Sequence, residues 1–269
     1  MSTILVTGGT VTLGRQVVPL LRDAGRPVRV LSRRDHEAAE GIEYLTGDLR
    51  TGDGIAAAVD GADVIVHCAG ANKGDDETTK MLVRAAARAG APHLVSISVV
   101  GADRIPVVSR TDRAMFSYFA MKLAAEQVVA SSGLPWTTLR ATQFYDLVLT
   151  VARAMTKLPV IPVPAGIKFQ PVDTAEVAAR LAELALGPPA GLVPDMAGPS
   201  AYGVADLLRG YLRASGKHRP LVPVRLPGRA ARAVAGGANL APDRAVGRRT
   251  WEDFLAERVR PAAATGDRR

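Results

Sequence analysis

The chain has 269 residues, 48% of them hydrophobic, enough to bury one large core and to exclude a disordered polypeptide. Aromatics make up only 4%, and this scarcity beside abundant Ala, Val, Leu and Gly favours helices laid on a parallel sheet over an aromatic-lined β-sandwich. The formal charge of +8 is carried by scattered arginines and by the tail residues Arg258, Arg260, Arg268 and Arg269, with no basic stripe interleaved with aromatics, which argues against a nucleic-acid partner and for a basic surface that draws in a phosphorylated cofactor.

Residues 4–7 form a short apolar run closed by glycines, and 13–24 carry apolar residues at helical spacing until Gly25 and Pro27 stop them, which predicts strand, turn and helix. Residues 27–31 read as a second strand with Ser32, Arg33 and Arg34 at its carboxyl end. A short third strand, 42–45, ends at Gly47-Asp48-Leu49; 54–59 reads as a helix and 63–67 as a fourth strand closing at Cys68-Ala69-Gly70. Helical spacing over 78–89 leads to a fifth strand, 93–98, that ends at Ser98 and gives way to an irregular stretch, 99–111, punctuated by Gly101 and Pro106. A long helix over 114–131, a sixth strand over 136–140 and a helix over 144–157 complete six β-α alternations, for which a Rossmann-type doubly wound parallel sheet is the natural solution.

Beyond Leu158 the grammar changes. Eight prolines between 159 and 199 cut the chain into short extended pieces around one clear helix, 173–186; further helices are predicted at 204–215, 229–236 and 250–258, with an extended stretch at 220–227. Residues 1–157 therefore read as a dinucleotide-binding core, and 158–269 as a region that completes it and adds a small substrate-side lobe, the whole forming a single structural domain. Cys68, the single cysteine, cannot form an internal disulfide, and the amino terminus enters a strand without a charged region, apolar stretch and cleavage site, so a cytoplasmic protein is expected. No apolar run approaches the roughly 18 residues of a spanning helix, so no membrane association is expected.

The turn Thr7-Gly8-Gly9-Thr10-Val11-Thr12-Leu13-Gly14 carries the strongest chemical signal. A backbone that bends sharply from strand to helix lets pyrophosphate oxygens approach the helix amino end, where free N–H groups and the dipole favour negative charge. A carboxylate after the second strand would hold the ribose 2′-hydroxyl of NAD; Ser32, Arg33 and Arg34 suit a 2′-phosphate instead, so NADP(H) is expected over NAD(H). Tyr118 and Lys122 stand at i, i+4 on one helix face, where an ammonium stabilises developing tyrosinate charge. No metal is expected.

The turn resembles the G-x-x-G-x-x-G element of extended and atypical short-chain dehydrogenases/reductases, with glycines at 8 and 14 and Val11 in place of the middle one, whose missing side chain leaves room for the cofactor phosphates. Ser98-Val-Val-Gly-Ala-Asp103, Lys122-Leu-Ala-Ala-Glu126, Leu139-Arg-Ala-Thr142 and Pro171-Val-Asp-Thr-Ala-Glu-Val177 extend the resemblance over nearly the whole chain, most of all to the atypical, NmrA-like NAD(P)-binding branch. The resemblance implies that Asp48 and Leu49 contact the adenine ring, that His67, Cys68, Ala69 and Gly70 line the cofactor ribose, and that Ser98 orients a substrate carbonyl. It further implies Tyr118 as proton donor and Lys122 as its electrostatic partner and ribose anchor, with Gln143, Phe144 and Tyr145 on the substrate side. The implied activity is NADPH-dependent reduction of a carbonyl, quinone or conjugated alkene in a small apolar molecule. The alternatives are a non-catalytic NADP(H) sensor, since members of this branch often lack a working Tyr-Lys pair, and a non-redox isomerase or cyclase on the same fold. The sequence is compatible with a monomer or a homodimer.

Overall fold

A computed structural model describes residues 2–37, 39–70 and 74–259. In chain order the elements are β1 (Ile4–Thr7), α1 (Gly14–Asp23), β2 (Val28–Ser32), β3 (Ile42–Thr46), α2 (Ile55–Val59), β4 (Val64–His67), α3 (Asp75–Arg88), β5 (His93–Val99), α4 (Arg110–Ala130), β6 (Trp136–Ala141) and α5 (Tyr145–Met155). There follow β7 (Ile161–Pro164), β8 (Lys168–Phe169), α6 (Thr174–Leu186), β9 (Gly191–Leu192), β10 (Tyr202–Gly203), α7 (Val204–Ala214), β11 (Leu221–Val224), α8 (Arg229–Ala235) and α9 (Trp251–Arg258). Arg258 closes α9, while Arg260, Arg268 and Arg269 lie outside the described residues.

Seven strands form one sheet in the order β3-β2-β1-β4-β5-β6-β9, every pair parallel. Parallel strands need crossovers that cover both faces, and the strands here are accordingly apolar on both sides. On one face Ile4, Val6, Val30, Val66 and Val95 pack against Val17, Val18 and Leu21 of α1 and Val177, Ala178 and Leu181 of α6. On the other, Leu5, Leu31, Ile65 and Leu94 meet Ile55, Ala58 and Val59 of α2, Leu82, Val83 and Ala86 of α3 and Val129 of α4. The chain runs outward from β1 to β3 and then returns to place β4 on the other side of β1. That reversal opens a crevice at the carboxyl ends of β1 and β4, the position at which open α/β sheets bind ligands.

The proline-rich region does not divide from the sheet at a single point. α6 covers the sheet and β9 extends it, whereas α5 leaves it to join a second core in which Tyr145, Leu149 and Ala152 pack with Ile161, Val163, Leu208, Tyr211, Trp251 and Phe254. Two small sheets, β7 with β11 in parallel and β8 with β10 antiparallel, frame this lobe. The two-residue β9 eludes the sequence pattern because Pro188, Pro189 and Pro194 surround it, yet Gly191 and Leu192 still pair with Thr137 and Thr138.

Candidate functional site

The crevice is a groove of about 570 Å³ whose lining includes Thr7, Gly8, Thr10 and Val11 of the first turn, Ser32 and Arg33 after β2, Asp48 and Leu49 after β3, and Ala69 and Gly70 after β4. Its tight end is set by glycine. Gly8 has φ +71°, and a Cβ there would stand 2.6 Å from the Ala69 amide nitrogen; a Cβ on Gly14 would stand 2.2 Å from the Gly8 carbonyl oxygen. Both positions therefore require the missing side chain. Gly9 is packed beneath, against the Val30 side chain, and Leu13 is buried in the core, so these two shape the turn without lining the groove.

α1 begins at this turn with no side-chain cap and no acidic residue in its first turn. The Val11 amide donates to the Gly8 carbonyl at 3.2 Å, closing the bend, while among the described residues the amides of Thr12 and Leu13 donate to no protein acceptor. An uncapped helix start with spare N–H groups, aimed into a cleft, is the donor set that a pyrophosphate needs. Val11 lines this cleft and is 49% exposed.

Ser32 is buried at the groove edge, and its hydroxyl accepts from the Arg34 amide at 3.2 Å and contacts His36 Nε2 at 2.9 Å. Arg33 is exposed and lines the groove; Arg34 is exposed beside it without being part of the lining. Arg50 is drawn toward Asp48 at 3.7 Å, but among the described residues Arg33 forms no ion pair. Asp48 Oδ1 also accepts the Arg50 amide at 2.8 Å, which fixes the bend after β3.

His67 and Cys68 are buried behind the groove rather than exposed in it. The Thr79 hydroxyl donates to the Asp75 carbonyl oxygen at 2.7 Å, so it accepts from His67 Nε2 at 3.3 Å, and His67 Nδ1 accepts from the Thr7 hydroxyl at 2.7 Å. In the neutral imidazole the proton therefore sits on Nε2, leaving Nδ1 to accept. Burial pushes the His67 pKa down to about 4, Asp75 opposing and Lys122 assisting; burial likewise pushes the Cys68 thiol up to about 12, leaving it unreactive near neutrality. Because an unfolded histidine titrates near 6.5, the unfolded state takes up a proton that the native state refuses as pH falls from about 6.5 to 4. Native stability is then lost by about 3 kcal/mol over that window. In urea titrations between pH 7 and pH 4, His67→Gln should lack this increment, so that its curve converges on that of the wild type at the acid end; parallel curves would refute the buried neutral imidazole.

The residues expected to carry the chemistry sit on α4 and β5. A capping box in which Ser109 and Asp112 exchange side-chain and backbone hydrogen bonds starts α4 at Arg110, four residues earlier than the apolar periodicity predicts. Arg140 of β6 clamps the helix through two bonds to Glu126 at 2.9 and 2.6 Å and reaches Asp103 at 2.8 Å. On the helix so fixed, Tyr118 is 41% exposed, whereas Lys122 is buried and pairs with Asp75 at 2.9 Å, its Nζ also donating to the Ile97 carbonyl at 3.4 Å. Desolvation of the hydroxyl holds the Tyr118 pKa above the ordinary tyrosine value, with Lys122 opposing and Asp75 adding to the shift.

Two expectations are corrected. The Ser98 hydroxyl is closed to solvent and, among the described residues, has no hydrogen-bond partner; it lines a small space shared with Ser96, Lys122 and Glu126 rather than the groove. Tyr145 is fully buried, stacked on Trp251 at 5.6 Å with its hydroxyl donating to the Arg249 carbonyl at 2.7 Å. It belongs to the lobe's core, because an aromatic with its polar tip satisfied inside is a packing residue. Phe144 is partly buried against the main core, and Gln143 is partly exposed with its side-chain oxygen buried. The sequence carries little that singles out Asp75. Its one signal is the acidic run Asp75-Asp76-Glu77 ahead of an apolar helix, which reads as ordinary charge at a helix start.

A Rossmann sheet with a glycine turn, an uncapped helix start and a switch-point groove defines a dinucleotide-binding protein. The chain belongs to the NAD(P)H-binding family, whose model matches residues 8–185, and its cofactor is a nicotinamide dinucleotide. The NAD(P)H azoreductase of Xenophilus azovorans is 29% identical over 83% of this chain and 77% of its own. The (4-alkanoyl-5-oxo-2,5-dihydrofuran-3-yl)methyl phosphate reductase of Streptomyces griseus is 31% identical over 59% of this chain, a match that spans only 54% of that protein. In fold, the chain is similar to the NADPH-dependent quinone oxidoreductase QOR2 of Escherichia coli in complex with NADPH, with a TM-score of 0.78 at 20% identity over 94% of this chain and 99% of that one. The triphenylmethane reductase of Citrobacter sp. gives a TM-score of 0.74 at 19% identity over 95% of this chain and 99% of that one. Among the described residues no helix is long and apolar enough to cross a membrane.

Proposed function

We propose that this protein is an NADPH-dependent reductase of small apolar molecules bearing a quinone, carbonyl, azo or conjugated-alkene group. The observation that carries the reading is the groove itself: an uncapped α1 start at one side, Arg33 without an ion pair among the described residues at the other, and Lys122 with Tyr118 beyond its Gly70 end. The azoreductase relative supports a reductive reaction, and the exposed Arg33 supports a 2′-phosphate over a bare ribose.

When bound, NADPH supplies the hydride. The chain's part is to hold the pyrophosphate on the α1 amides, the adenosine end between Arg33 and the Asp48-Leu49 segment, and the nicotinamide end near Gly70. Tyr118 Oη gives a proton to the substrate atom that gains negative charge and recovers it from solvent, to which its ring is open. Lys122, buried and fixed, limits the energetic cost of the tyrosinate formed in that step.

The test is consumption of NADPH by the purified protein with a panel of quinones, azo dyes and enones. Oxidation stoichiometric with a reduced product supports the reading. Tight NADPH binding with no oxidation by any member of the panel would overturn it in favour of a nucleotide sensor.

A further inference from the structure

We propose that Asp75 is a positioning residue that neutralises Lys122 and thereby keeps Tyr118 protonated, so that the site donates protons and works in the reductive direction. The inference rests on the proposed reductase reading but concerns a residue outside the Tyr-Lys pair. Asp75 opens α3 and sits in the wall between the cofactor groove and the small space behind it, lining both. Its Oδ2 is 2.9 Å from Lys122 Nζ, and the two side chains are only 2% and 7% exposed.

A lysine one helical turn from a tyrosine normally favours the tyrosinate, because its positive charge is uncompensated on that side. Here a carboxylate within contact distance offsets part of that field in surroundings where screening by water is weak. Lys122 is thus held at a fixed place, bonded on one side to Asp75 and on another to the Ile97 carbonyl, while its pull on the Tyr118 proton is reduced.

The other groups facing the pair do not take over either role. His67 of β4 is neutral and committed to Thr7 and Thr79. Cys68 stays a thiol, and Glu126 of α4 is taken up by Arg140. Asp76 and Glu77 on α3 are paired with Lys80, and β5 contributes the Ile97 carbonyl and the uncharged hydroxyls of Ser96 and Ser98.

The test reads Tyr118 directly and does not need turnover. Tyrosinate absorbance is titrated with alkali in the wild type and in Asp75→Asn, and in each case the same titration of the matching Tyr118→Phe chain is subtracted. The ionisation of Tyr118 should fall by roughly one pH unit or more in Asp75→Asn, and the alkaline limb of kcat for NADPH oxidation should move down with it. Lys122→Met, which removes the ammonium and keeps the carboxylate, should move the ionisation the opposite way, and it serves if Asp75→Asn does not fold. A folded variant of either kind whose Tyr118 titration matches the wild type would overturn the proposal. Absence of NADPH oxidation in the wild type would instead count against the reductase reading, and the titration would still decide the role of Asp75.

Discussion

Tyr118→Phe should lower kcat for NADPH oxidation by roughly a hundred- to ten-thousand-fold, the usual contribution of a positioned proton donor, while leaving the affinity for NADPH unchanged. The residue has the attributes the role requires. It stands on a helix held by the Ser109–Asp112 capping box and by the Arg140–Glu126 pair, its ring reaches solvent for reprotonation, and its hydroxyl is kept protonated near neutrality. Removing one oxygen leaves the ring and its edge contact with Phe119 in place, so a loss confined to kcat points to proton transfer rather than packing. Full turnover in Tyr118→Phe would remove the proton-donor assignment.

Gly14→Ala should be severely damaging, because the added methyl falls inside the glycine turn. Its Cβ would meet only backbone, the Gly8 carbonyl at 2.2 Å and the Gly9 Cα at 2.7 Å, so no side chain can swing aside. The turn would have to open at Gly8, whose left-handed φ and close approach to Ala69 already fix it. The cost should be at least about 1–3 kcal/mol, the range for overpacking that displaces backbone, and NADPH binding should be lost with the turn. Gly187→Ala is the control. There the nearest heavy atom to an added Cβ is 3.5 Å away and the backbone is extended, so the melting temperature should not move. Equal melting of the two variants would contradict the description of the turn.

The fold was legible wherever local pattern and tertiary role agree. The first six strands are short apolar runs ended by glycine or polar residues, and their observed bounds lie within a residue or so of those the pattern predicts. α4 starts earlier than its apolar periodicity because a cap made by Ser109 and Asp112 extends a helix through residues that bury little. β9 is invisible because two residues cannot show a period, and its existence depends on β6 lying beside it. At the site, the residues that line or shape the groove through local geometry, Gly8, Gly14, Arg33 and Asp48, could be read from their spacing after strands. Those whose meaning depends on what another element brings could not. Asp75 matters only because α3 and α4 pack side by side, Ser98 turns its hydroxyl toward α4 rather than the groove, and Tyr145 is claimed by Trp251 and Phe254 from the far end of the chain.

Calorimetric titration of the purified protein with NADPH and NADH, repeated on Arg33→Ala, tests the central claim most directly. The wild type should bind NADPH more tightly than NADH, and the substitution should weaken NADPH by roughly tenfold or more, as loss of a charge-assisted contact to the 2′-phosphate requires, while leaving NADH unchanged. Failure of the wild type to bind either nucleotide, with Val11 standing in the groove, would contradict the account.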